Sequence, residues 1–191
     1  SLTRYEIGVG GGALFTLFDV DEDGDQDIIL PQYWGEESLV WMEQPEDPTT
    51  PWIKHVINDD TGRGFQAEVR DMNGDGRPDV VYGNHNHQLS TIVEEQTMGV
   101  YWWEIPPASE VRELADWGAT MNVVFEGFND GAPEVDREGA PGVIHTGDVN
   151  GDGLMDVSVS GDGDEGVYVF VQDADGGFVE NVIDVGLTMA G

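Results

Sequence analysis

The chain has 191 residues, 39% of them apolar, with 39 acidic against 7 basic side chains and a formal charge of −32. That size and apolar content suit one globular domain with a real core, while the charge repels nucleic acid and anionic membranes and makes cations the natural partners. The absence of cysteine excludes disulfides and thiolate metal sites, and no apolar run approaches the 18 residues of a membrane-inserted helix.

In chain order, LTRYEI (2–7) reads as a first extended segment, similar in pattern to WIKHVI further on. A strand ending at Phe18 (ALFTLF) then runs into the acidic stretch DVDEDGDQD, followed by IIL from Ile28, SLVWME (38–43) and WIKHVI (52–57). The same order recurs as GFQAEV to Val69, DMNGDGRPD, VVY from Val80, GVYWWEI (99–105) and MNVVFEG (121–127). It recurs again as PGVIHT to Thr146, DVNGDGLMD, VSVS from Val157, GVYVFVQ (166–172) and FVENVID (178–184). Four strands therefore accompany each acidic loop, which predicts an all-β chain of four-stranded antiparallel units. The loops start 52 and 77 residues apart, at Asp19, Asp71 and Asp148; the longer interval reflects expanded connections in the second unit. One of these, PPASEVRELADWGAT, predicts a short helix near Glu110 to Trp117.

Each loop has Asp at positions 1, 5 and 9, Asp or Asn at 3 and Gly at 6. Calcium takes six to eight hard oxygen ligands, and alternate residues of a tight loop can turn carboxylates inward while glycine permits the bend. In the first loop Asp19, Asp21, Asp23 and Asp27 are expected to offer side chains and Asp25 its carbonyl. The second loop assigns these roles to Asp71, Asn73, Asp75 and Asp79 with the carbonyl of Arg77, and the third to Asp148, Asn150, Asp152 and Asp156 with that of Leu154. About three calcium ions are expected. Leu30, Tyr82 and Val159 at position 12 exclude an EF-hand, which needs a bidentate Glu there. Magnesium, which demands octahedral geometry and retains waters, fits less well. An Asp/Gly turn with no ion is the plainer alternative, but such a turn does not require Asp at the ninth position every time.

These loops with their following strands, DVDEDGDQDIIL, DMNGDGRPDVVYG and DVNGDGLMDVSVSG, resemble the calcium loops of FG-GAP or VCBS-type repeats, the blades of integrin-like β-propellers. The resemblance implies blades at residues 12–58, 64–127 and 141–184, with 1–11 as the end of a preceding blade. Three blades plus one strand fall short of the usual four to eight, so the chain is expected to be part of a larger propeller, completed by other chains or by the rest of a longer one.

The remaining candidates are weaker. His85 and His87 in GNHNHQ sit where an expanded connection leaves the blade, expected opposite the acidic loops, and offer a transition-metal or acid/base pair. His145 is expected to pack or support the third loop, and His55 to lie on the surface. GDGDEG (161–166) has the spacing of a dinucleotide loop, but no helix follows and its acids would repel a pyrophosphate. Trp41, Tyr101, Trp102, Trp103, Tyr168 and Phe170 fall on third strands and are expected in the blade core, leaving loop residues Trp34 and Trp117 to stack on a sugar or partner. Two functions follow. One is a calcium-stabilised recognition module for a glycan or protein, working outside the cell or at its surface. The alternative is a carbohydrate-active enzyme of the lyase or dehydratase kind, using the His85/His87 loop.

Overall fold

A computed structural model describes residues 3–8, 11–12, 14–34, 38–85, 98–128, 140–162 and 166–184. Three four-stranded antiparallel sheets follow one another along the chain. The first contains β1 (Thr16–Phe18), β2 (Asp27–Pro31), β3 (Leu39–Glu43) and β4 (Ile53–Asn58). The second contains β5 (Gly64–Arg70), β6 (Asp79–Asn84), β7 (Gly99–Glu104) and β8 (Met121–Glu126). The third contains β9 (Ala140–Gly147), β10 (Asp156–Asp162), β11 (Gly166–Gln172) and β12 (Phe178–Asp184). This is the expected all-β architecture of propeller-like blades, and each acidic loop joins the first two strands of its sheet.

The pleat explains the packing. Successive strand residues point to opposite faces, so Ile29 and Trp41 of the first blade meet Val80, Tyr82, Tyr101 and Trp103 of the second. The alternate residues of the second blade, Val81, Val100 and Trp102, meet Val157, Val159, Tyr168 and Phe170 of the third. A middle strand buried from both sides loses the apolar/polar alternation of a surface strand, and all six residues of β6 are buried. The aromatics expected in the core are there: Trp41, Tyr101, Trp102, Trp103, Tyr168 and Phe170 are all buried.

First strands of successive blades lie side by side. Leu14 and Gln66 form a parallel bridge, and the Leu14 N–H donates to the Phe65 carbonyl at 3.1 Å. Between the second and third blades a side chain replaces the ladder: the buried Gln66 amide donates to the Ile144 carbonyl and accepts from the Ile144 N–H, both at 2.9 Å.

Three local expectations look different in the structure. Residues 3–8 contain no strand; the Ile7 carbonyl accepts from the Trp52 N–H, and Gly8 lies against Met42 so closely that a Cβ there would sit 2.9 Å from its terminal methyl. The helix expected near Glu110 to Trp117 is replaced by turns and a single 3-10 turn at Gly118–Thr120. Trp117, expected to be available for stacking, is buried at 2% exposure, and its N–H donates to the Ile57 carbonyl of the first blade. The buried indole straps the first two blades together.

Candidate metal centre

Each loop is wound around its own carboxylates. At position 1, Asp71 accepts the N–H groups of Gly74, Asp75 and Gly76, and Asp148 accepts those of Gly151, Asp152 and Gly153. Asp19 accepts those of Asp23 and Gly24. Backbone donors stabilise the charged form, and those from Gly153, Gly151 and Asp152 hold the Asp148 carboxyl below the usual carboxylate range. At position 5, Oδ1 of Asp23, Asp75 and Asp152 accepts the N–H of Asp25, Arg77 and Leu154 respectively, the residues expected to offer carbonyls.

Two left-handed residues make this winding possible. Position 6 is glycine with φ of 99°, 86° and 90° in the three loops, as the sequence suggested. Position 4 is also left-handed, with Gly74 at 75°, Gly151 at 82° and, in the first loop, Glu22 at 57°. The glycines at 74 and 151 carried that signal in the sequence; Glu22 adopts the same conformation at a steric cost.

The ninth aspartate does a different job. Asp27, Asp79 and Asp156 are almost fully buried, and one oxygen of each accepts the N–H of position 2: Val20 at 2.9 Å, Met72 at 2.7 Å and Val149 at 2.8 Å. The second oxygens of Asp27 and Asp156 accept the N–H of Gln44, just beyond β3, and of Gln172, the last residue of β11. Asp27 and Asp156 thereby tie the loop, the second strand and the end of the third strand together, and Asp79 ties its loop to the second strand. Burial pushes the carboxyls of Asp27 and Asp79 up to about 6.

The first loop concentrates charge most strongly. Asp19, Asp21 and Asp27 place ligand oxygens within 4.8 Å of one another, an arrangement able to hold a metal ion. Burial raises the Asp21 carboxyl against the opposing pull of Arg112. Arg112, from the connection between β7 and β8, ion-pairs with Asp21, with Asp23 at 3.0 Å and with Glu43 at 2.9 Å. In the second and third loops position 3 is Asn, whose Nδ2 reaches Oδ2 of Asp75 at 3.4 Å and of Asp152 at 2.8 Å. Sequence reading missed Arg112; as one of only 7 basic residues against 39 acids, it could have been flagged for pairing.

The histidines separate. His85 is buried at 4% exposure, bonded through Nδ1 to the Pro141 carbonyl at 2.9 Å and packed near Tyr33 and Phe65. His87 lies outside the described residues, as do 163–165 of the GDGDEG stretch. His145, expected to pack or support the third loop, instead has a side chain 69% exposed and meets Glu68 at 3.1 Å. His55, expected on the surface, is stacked on Trp41 at 4.3 Å and bonded to Glu43, because both face the second blade. Trp34 is exposed at 77%, edge-on to Tyr33. A cleft of about 760 Å³ lies beside the second loop, lined among others by Leu17, Phe18, Glu68, Arg70, Asp71 and Arg77.

No curated protein matches the chain. Residues 16–82 match the family described as the FG-GAP-like repeat, a span that takes in the first blade and the second blade as far as Tyr82, including both of their acidic loops. The likeness to the FG-GAP-like repeat thus covers residues 16–82, and an acidic loop within a four-stranded sheet recurs beyond that span, between Ala140 and Asp184.

Proposed function

We propose that the chain is a calcium-stabilised β-propeller recognition module, with structural calcium in its three acidic loops and a glycan or protein as its ligand. The observation that carries the metal reading is the threefold recurrence of one oxygen-lined winding, which in the first loop brings three carboxylates within 4.8 Å. Asp19, Asp21, Asp23 and Asp27, with their counterparts Asp71, Asn73, Asp75 and Asp79, and Asp148, Asn150, Asp152 and Asp156, are hard oxygen donors on a loop that adapts to calcium better than to octahedral magnesium. When bound, the ion neutralises converging carboxylates and ties the first two strands of each blade. The chain's own residues supply the winding, the ninth-position clamp and the inter-blade cores.

Rigid blades of this kind present connections to a partner. Exposed Trp34 beside Tyr33, with Arg63 5.9 Å from the Tyr33 ring centre, offers an aromatic and cationic platform on the connection after β2, at the end of the strand away from the loop. Such a module works outside the cell or at its surface, where calcium is abundant, with the remaining blades contributed by other chains or a longer one. Chelation should lower the melting temperature, since an ion at 100 times its Kd adds about 2.7 kcal/mol per site. Binding on a glycan array that is lost with Trp34→Ala would support the recognition reading; retention of all glycan binding by that variant would remove this platform from it.

A further inference from the structure

We propose that Arg112 is a built-in competitor for the cation position of the first loop: its guanidinium and a bound metal ion claim the same carboxylate oxygens, so metal entry expels the Arg112 side chain. The inference rests on reading the acidic loops as metal sites.

The oxygen inventory of the loop leads there. Both oxygens of Asp19 accept backbone N–H groups, from Asp23 and Gly24, and both oxygens of Asp27 accept those of Val20 and Gln44. Oδ1 of Asp21 accepts from Asp23, and Oδ1 of Asp23 from Asp25. Two side-chain oxygens remain among these four ligands, Oδ2 of Asp21 and Oδ2 of Asp23, and Nη2 of Arg112 meets both. The Asp21 side chain has no exposure, and its Oδ2 has no aligned hydrogen bond; what it meets is the Arg112 charge.

The other two loops show why this matters. There the matching Oδ2 of Asp75 and Asp152 meets the neutral amide of Asn73 or Asn150. An amide can rotate to offer an ion its oxygen, whereas a guanidinium has five donors and no acceptor. Nothing has to leave the second and third loops, but Arg112 has to leave the first. It has somewhere to go, because its side chain is 40% exposed. It is also held close, because Nε is bonded to Glu43 at 2.9 Å and its own connection is anchored in the core by Val111 and Trp117. The first loop therefore has an extra carboxylate at position 3 and yet binds calcium more weakly than it would without Arg112. Even fully water-screened, repulsion between a divalent ion and a guanidinium at about 5 Å costs roughly a factor of ten in affinity.

Calcium titration of the chelated full chain, followed by NMR at the Gly24, Gly76 and Gly153 amides and at the Arg112 Nε–H, tests this. In the wild type, Gly24 should respond at higher calcium than Gly76 and Gly153, and the Arg112 Nε–H should lose its protection in step with Gly24. In Arg112→Ala, and in Arg112→Gln as the variant that retains a polar side chain, the Gly24 transition should move to calcium concentrations lower by roughly tenfold or more. An unchanged or weaker Gly24 response in both variants overturns the competition while leaving the metal reading in place. No response at any of the three glycines overturns the metal reading and this inference with it.

Discussion

Asp156→Asn tests the claim that the ninth position clamps the blade independently of metal. The Asp156 side chain is fully buried, and its two oxygens accept from Val149 at 2.8 Å and Gln172 at 2.9 Å. Asparagine is nearly the same size but offers one acceptor, so one buried N–H is left facing an amide N–H. Losing a charge-assisted bond costs about 1.5–3 kcal/mol, and an unsatisfied buried donor adds about 1–3. Together they predict a loss of about 2.5–6 kcal/mol, or roughly 5–24 °C in melting temperature for a chain of this size. Asp152→Asn is the control, since position 5 is exposed and its Oδ1 bond to the Leu154 N–H can be kept by the amide oxygen. It should lower the melting temperature with calcium present and barely change it under chelation. Thermal melts by circular dichroism in both conditions separate the two roles. If Asp156→Asn melts within about 1 °C of wild type under chelation, against the several degrees expected, the clamp argument is wrong.

Other outcomes follow from the same geometry. Gln66→Ala removes both bonds to the buried Ile144 peptide and should cost about 2–3 kcal/mol, read as a lower denaturation midpoint with an unchanged slope. Glu22→Gly relieves the left-handed non-glycine residue at φ 57°; it should raise stability by about 0.5–1 kcal/mol after the entropy of the added glycine, and a lower melting temperature would contradict the strain. Burial pushes the Asp27 and Asp79 carboxyls up to about 6, so the folded state binds more protons than the unfolded state between that value and the ordinary 3.8. Their contribution to the stability of the chelated protein therefore grows as pH falls through about 6 and is complete below about 3.8. With calcium present, protons compete with the ion and calcium affinity should fall over the same interval. Melts and titrations at pH 7.5 and 5.5 check both signs, the pH values being set roughly either side of that midpoint.

The blades were legible in the sequence because each loop marks the same turn between two short apolar strands, as β10 shows with its buried pair Val157 and Val159. Loop-side glycines at position 6 and the core aromatics followed from local chemistry alone. What stayed hidden depends on neighbours far along the chain. Arg112 reaches the first loop from 85 or more residues away, and Trp117 looked like a loop residue until the first blade covered it. His55 and His85 were read as surface or loop side chains, but stacking on Trp41 and the bond to Pro141 draw them inward. Alternation within one strand cannot reveal such contacts, because the packing partner belongs to another blade. The ninth aspartate was read as a ligand like the others; its further bonds depend on which N–H groups surround it, and those come from the loop's second residue and from the end of the third strand.

Calcium titration calorimetry on the chelated full chain tests the central claim most directly. The account predicts about three bound calcium ions, one for each D-x-[DN]-x-D-G-x-x-D loop, and a melting temperature that rises as they bind. No binding heat together with the same melting temperature in chelator and in calcium would contradict it.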